Sequence, residues 1–413
     1  MQTLAIDGAT LRAQLTHLGA IGIDVTGART RLAASDSDKQ GRDQLVAWMR
    51  ELNLEVRVDT MGNIYGILPG RDRQAPVLML GSHIDTVINA GMYDGCYGVL
   101  AGLAVQRALR QAGMVPPCDV VVVAFTNEEG VRYQPDMLGS LVVAGGMAAT
   151  DALDVIGTDG TRLGDELTRI GYAGDMQPGS IVPRAYIELH VEQGPMLEQA
   201  GVTIGAVAHL QGISWQQLTI TGQANHAGTT PMSMRRDAGV AAARLTAGLY
   251  DYALQSGSTR ATVGSMQVSP NAINVIPQQV VMTVDIRDPD DARVDAAEGA
   301  LRTMIDACVT QLGVDITIER LVRFPAVAFD QTLVARITQA AAQRRLSCMP
   351  MISGAGHDAQ MMARVAPTAM IFVPSRGGIS HNPAEYTSDD QLVAGAAVLA
   401  DVVLQTLGLD EEK

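Results

Sequence analysis

Cysteine is scarce in this chain and forms no motif. Cys96, Cys118, Cys308 and Cys348 stand far apart, and no CxxC occurs. That excludes a cysteine-ligated zinc site and fits reduced thiols in a cytoplasmic protein better than a disulfide framework. Basic residues are in deficit, 30 against 44 acidic, so the formal net charge is −14. A general nucleic-acid binder is therefore not expected. No run of about 18 apolar residues marks a membrane span. The N-terminus lacks the basic stretch and apolar core of a signal peptide. The acidic end Asp410-Glu411-Glu412 reads as a solvated tail.

Apolar residues, by contrast, make up 47% of the 413 positions, and glycine occurs 42 times. A large core with many loops is expected, in two or three domains at roughly 100–200 residues each. Leu11, Leu15 and Leu18 repeat at helical spacing. Residues 54–59 alternate as a strand, and 64–68 continue as a second. Continuous apolar runs at 76–80, 119–125, 186–190 and 368–373 read as strands buried on both faces. Helices are expected at 97–112 and 389–407. Buried strands alternating with helices predict an α/β domain whose mixed, mostly parallel sheet is flanked by helices, with ligands bound beyond the carboxyl ends of its strands.

Between about 212 and 325 the texture changes. Strands at 213–221, 260–268, 279–287 and 314–322 enclose helices at 235–255 and 290–312. The order β-α-β-β-α-β is the ferredoxin-like pattern. Residues 212–325 thus read as an inserted α+β domain, leaving 1–211 and 326–413 as one discontinuous catalytic domain.

Polar clusters follow the buried runs. Gly81-Ser82-His83-Ile84-Asp85-Thr86 comes after the first, and Asp85 could hold the second ring nitrogen of His83. Taken alone, a loop histidine with a turn aspartate is the commoner explanation. Asp94, in Tyr93-Asp94-Gly95-Cys96, stands at a helix start, where capping is ordinary. Adjacent Glu128 and Glu129, delivered by a wholly apolar strand, are harder to explain without a function: one could bind metal while the other handles protons. His190 lies in Glu188-Leu189-His190-Val191-Glu192-Gln193-Gly194-Pro195 and His381 in Ser380-His381-Asn382-Pro383. The chain has seven histidines, and three of them sit in glycine-bearing loops after buried strands. Imidazoles and carboxylates converging from separate strand ends suit zinc, manganese, cobalt or nickel, and two-metal hydrolysis needs a carboxylate able to bridge ions about 3.5–4 Å apart.

In order, GSHIDT, YDGCYG, TNEEG, ELHVEQGP and SHNPAE resemble the hydantoinase/carbamoylase family of amidohydrolases, part of the larger group of two-metal aminoacylases and carboxypeptidase-like peptidases. The likeness runs from about residue 80 to residue 390. It implies that Asp94 bridges two divalent ions, that His83 and His190 hold one and Glu129 and His381 the other, and that Glu128 is the general base. Peptidases of the group usually carry a carboxylate where His190 stands, which argues for a carbamoylase-type amidase. The second domain then acts as a lid and dimerisation domain, with Asn225-His226-Ala227-Gly228 as its motif. Gln193, His226, Asn274 and Arg287 would hold the substrate, with a backbone contact from Gly356. In relatives the lid histidine can complete a partner's site, which implies a homodimer. By themselves His226 and Arg287 could equally be surface residues, and His17, His209 and His357 read as structural. The implied reaction is hydrolysis of N-carbamoyl-L-amino acids to amino acid, ammonia and carbon dioxide. His226 would steady the oxyanion, and Arg287 would pair with the substrate carboxylate. Allantoate is the runner-up, followed by ureidoglycine-type compounds and N-carbamoyl-β-alanine. A dipeptidase or aminoacylase, and a non-catalytic binding protein, are the other classes.

Overall fold

In the computed structural model, residues 3–410 are described, so Glu411 and Glu412 of the acidic tail lie outside them. The strands in chain order are β1 (Glu55–Val58), β2 (Ile64–Leu68), β3 (Val77–His83), β4 (Val120–Phe125), β5 (Pro183–Val191), β6 (Ile204–Leu210), β7 (Gly212–Thr221), β8 (Arg260–Thr262), β9 (Met266–Ser269), β10 (Gln279–Asp288), β11 (Asp315–Phe324), β12 (Val327–Ala328), β13 (Cys348–Ser353) and β14 (Thr368–Val373). The chain divides into two compact units. One contains the residues up to Ala208 and those from Phe329 onward; the other is His209–Ala328.

The first unit carries a mixed sheet in the order β1-β2-β4-β3-β5-β14-β6, with β13 also on β6. Its centre, β4-β3-β5-β14, is parallel. Antiparallel pairs flank it: β1 with β2, β2 with β4, and β14 with β6. The central strands are buried on both faces, as their unbroken Val, Leu and Ile runs require. Helices Gly8–Ala20, Cys96–Gln111, Gln331–Gln343 and Asp389–Leu407 pack on one another and on this sheet. The α/β expectation holds.

Two local readings are corrected. The strand expected at 76–80 is longer: β3 continues through Gly81 to His83, which pairs with Phe125. Gly81 makes this possible, because a Cβ there would lie 2.0 Å from the Val123 carbonyl oxygen. His190 is likewise inside β5, paired with Phe372 of β14. His83 is therefore the last residue of its strand and His190 the last but one of its own, both held by the ladder, and only His381 belongs to a loop. The helix expected at 389–407 is present as Asp389–Leu407, and by length and mean hydropathy it could cross a bilayer although it holds no uninterrupted apolar run. It is 72% buried over its most apolar window, as a core helix is. A full capping box between Ser388 and Gln391 starts it.

The second unit has the strand order β11-β7-β10-β8, all antiparallel, with β9 also on β10. The single strand expected at 260–268 is thus split into β8 and β9. Alternate residues Val280, Met282, Val284 and Ile286 of β10 form its core with Ala238, Leu245, Leu249, Val294 and Leu301. The last five come from helices Ala238–Ser256 and Asp291–Leu312, capped by Asp237 and Asp290.

Candidate metal centre

Four chain segments of the first unit converge on Asp94. It does not cap the following helix: the N-cap is Gly95, with no side-chain cap bond. Instead its Oδ1 lies 3.2 Å from His190 Nε2 and 3.6 Å from His83 Nε2, while Oδ2 lies 3.2 Å from His381 Nε2. Gly95 has to be glycine, because a Cβ there would fall within 2.3–2.5 Å of the His83 ring.

The rings are oriented from behind. His83 Nδ1 is 2.9 Å from the Asp85 carbonyl oxygen, and His190 Nδ1 is 2.8 Å from the Val191 carbonyl oxygen. A carbonyl only accepts, so each Nδ1 carries the proton and each Nε2 faces the centre as an acceptor, that of His190 taking the Gly95 amide at 3.1 Å. This corrects the expected role of Asp85. Its carboxylate stands 3.9 Å from His83 Nδ1 and instead accepts the amides of Glu128 and Glu129, both at 3.3 Å. The main-chain oxygen, nearer the ring, leaves the side chain free to reach across to the glutamate loop.

Glu128 and Glu129 then diverge. Glu128 Oε2 is 3.4 Å from His83 Nε2. Glu129 Oε2 is 3.5 Å from His381 Nε2, and its Oε1 accepts the Val87 amide at 3.2 Å. Among the described residues three sets of donor atoms could hold an ion: His83-Asp94-His190 and Asp94-Glu129-His381 share Asp94, and Glu188-His190-His357 shares His190 with the first. The electrostatics fit cations. Burial and the Asp94 carboxylate push the Glu129 carboxyl up to about 8. Burial, with Asp358 and Glu129 nearby, pushes Glu128 well above its ordinary value despite the opposing pull of His83. Hydrogen bonding to Asp94 raises His381 to about 9. Carboxylates driven towards neutrality, and an imidazole drawn towards its charged form, mark a buried acidic cluster that bound positive charge would relieve.

Of the expected substrate residues, Gln193 belongs to this cluster, because its Nε2 donates to Asp94 Oδ2 at 2.8 Å. Gly356 lies in the loop before His357 and faces Met137, 3.2 Å from where its Cβ would be. His226, Asn274 and Arg287 are in the second unit. The exposed His226 accepts the Gly228 amide on Nδ1 at 3.0 Å, and the Ala227 amide donates to the Asn274 carbonyl at 3.0 Å. Arg287 is held by Asp285, which accepts from Nε at 3.0 Å on each oxygen and from Nη2 at 2.9 Å.

Two residues at the centre escaped the sequence reading. His357, read only as structural, is buried with its ring centroid 4.5 Å from that of His190. Glu385 accepts the Tyr93 amide at 2.9 Å and the Ser380 hydroxyl at 2.8 Å, tying the Asp94 and His381 loops together. The acid in SHNPAE was visible as part of a motif, but its partner 292 positions away was not.

Comparison with known proteins shows the family. The sequence profile of peptidase family M20/M25/M40 matches residues 79–405. An N-carbamoyl-L-amino-acid amidohydrolase of Rhizobium meliloti is 41% identical over 399 residues, covering 96% of each chain. An allantoate amidohydrolase of Bacillus subtilis is 35% identical, covering 94% of each. Among solved structures, a hydantoinase/carbamoylase family amidase from Burkholderia multivorans superposes with a TM-score of 0.93 at 41% identity, over 99% of this chain and all of that one. The chain therefore belongs to peptidase family M20/M25/M40 and, within it, to the metal-dependent hydantoinase/carbamoylase amidases, hydrolases of carbon–nitrogen bonds other than peptide bonds.

Proposed function

We propose that this protein hydrolyses the ureido C–N bond of N-carbamoyl-L-amino acids, giving the amino acid, ammonia and carbon dioxide. The observation that carries the reading is the division of Asp94, one oxygen facing His83 and His190 and the other facing His381, with Glu128 beside the first set. Two divalent ions held by His83, Asp94, His190, Glu129 and His381, zinc or manganese with cobalt or nickel also compatible, would supply Lewis acidity and make water nucleophilic at neutral pH. Glu128 takes a proton from the attacking water and returns it to the departing nitrogen. Asp85 holds the Glu128 and Glu129 main chain. His226 donates to the oxygen that gains charge as the carbamoyl carbon becomes tetrahedral. Gln193, Asn274 and the Gly356 backbone orient the substrate, and Arg287 pairs with its carboxylate.

We assign residues 212–325 to a lid and dimerisation domain and the protein to a homodimer. A cytoplasmic location is supported by Cys96, Cys118, Cys308 and Cys348, which are all free thiols.

Ammonia release should be compared across N-carbamoyl-L-amino acids and allantoate, with manganese or zinc added. The highest kcat/KM is expected for an N-carbamoyl-L-amino acid. A preference for allantoate would replace this reading with the second one, which the Bacillus subtilis relative supports and which uses the same ureido and carboxylate groups. No turnover of either, with tight binding, would point to a binding protein, and cleavage of dipeptides or N-acyl amino acids to the peptidase side of the family.

Arg287→Ala should lower kcat/KM for a carboxylate substrate by about tenfold to a hundredfold, the range for losing one charge-assisted pair. A neutral carbamoyl amide should be affected little. Equal losses for both would remove Arg287 from the carboxylate.

A further inference from the structure

The glutamate loop is held at the glutamates themselves, where the Met137 amide donates to the Glu128 carbonyl at 2.7 Å, and again upstream of them. The two amide bonds to Asp85 are long, 3.3 Å each, and hydrogen bonds of that length are weak restraints. The upstream anchor is Thr126, two residues before Glu128, where all three polar groups are engaged. Its amide donates to Asn63 Oδ1 at 2.8 Å, and its carbonyl accepts the Gly139 amide at 2.9 Å. Its hydroxyl accepts from Arg42 Nη2 at 3.2 Å.

Arg42 reaches there from the interior of helix Asp36–Glu51, an element the sequence reading did not single out. Its side chain is 1% exposed and is paired with Asp38, which is 0% exposed. Nε donates to Asp38 Oδ2 at 2.7 Å, and Nη1 donates to the Gly62 carbonyl at 2.6 Å. Asp38 Oδ2 also accepts the Ala34 amide at 2.7 Å, while Oδ1 is buried with no partner. A fully buried ion pair with an unsatisfied oxygen is a poor source of stability, because apolar residues of similar size often do as well. What an apolar pair could not do is present a rigid planar fork to two separate strand ends at once.

We propose that Asp38 and Arg42 are positioning residues for the hydrolytic centre: the pair fixes Thr126 and, through it, the placement of Glu128 and Glu129. This rests on the assignment of Glu128 as base and Glu129 as metal ligand. Between Thr126 and Glu128 lies a single residue, Asn127, at φ +59°, so a shift at Thr126 passes directly into the glutamates. Displacements near 1 Å can cost about a hundredfold in rate.

The test is the double variant Asp38→Leu/Arg42→Met, which removes both charges together and leaves neither buried alone. It should fold, bind as many ions per chain as the unaltered protein, keep KM within about twofold, and lose about thirtyfold in kcat. Unaltered kcat in that variant, alongside an inactive Glu128→Gln, would overturn the positioning role and leave the base in place. An active Glu128→Gln would overturn the base assignment on which the proposal stands. Should the double variant not fold, Thr126→Val and Thr126→Ser decide. Valine keeps the shape and loses the hydroxyl, so kcat should fall about tenfold at constant KM. Serine keeps the hydroxyl and should stay within about twofold. Equal activity of the two overturns the proposal.

Discussion

Glu128→Gln is expected to lower kcat by about a thousandfold while the protein keeps its fold and its metal content. Glutamine matches glutamate in shape and cannot take a proton from water, and general acid–base groups contribute roughly 10²–10⁴ in rate. The substitution leaves the main chain untouched, where Asp85 accepts the Glu128 amide and the Met137 amide donates to the Glu128 carbonyl at 2.7 Å. It also leaves the candidate donor sets intact, since Glu128 belongs to none of them. Steady-state kinetics with metal analysis and circular dichroism on the same preparation separates the possibilities. Normal turnover would remove Glu128 from the proton transfers. Loss of metal in step with activity would make it a ligand instead.

Asp94→Ala should be the more drastic change, because it takes one donor from each of the two sets that share it. After chelation and re-addition of zinc or manganese, the unaltered chain should hold about two ions. Asp94→Ala should retain neither at stoichiometric loading and show no measurable turnover. His83→Ala and His381→Ala should each weaken chiefly one ion, a contrast that a single-ion centre would not give. Two ions and residual activity in Asp94→Ala would mean that its oxygens are not shared. Gln193, whose amide donates to Asp94 Oδ2, would lose its partner in the same variant, so its substrate contacts are best measured in the unaltered chain.

Arginines show where sequence reasoning reaches its limit. Arg287 was selected because a resemblance pointed to it, and the structure adds a partner two residues away, Asp285. Arg42 gave no signal at all. It sits at i+4 from Asp38, a spacing that on most helices means a solvated surface pair. Only burial against the Thr126 and Gly62 segments turns that spacing into an internal ion pair.

The sequence alone determined the layout: the α/β class, the ferredoxin-like order of the second unit, and the residue types gathered at the ends of buried strands. These are local properties. Apolar runs and periodicity report which backbone is buried, and a residue's distance from a strand end is counted along the chain. Tertiary structure alone decided the partner of each polar atom. Asp94 could have been a helix cap until His83, His190 and His381, from three other segments, were found around it. Asp85 could have steadied an imidazole until its carboxylate was found on the Glu128 and Glu129 amides. Glu385 and Arg42 acquire meaning only through partners 292 and 84 positions away. A carboxylate or guanidinium is satisfied by whatever the fold brings within about 3 Å, and no local pattern encodes that choice.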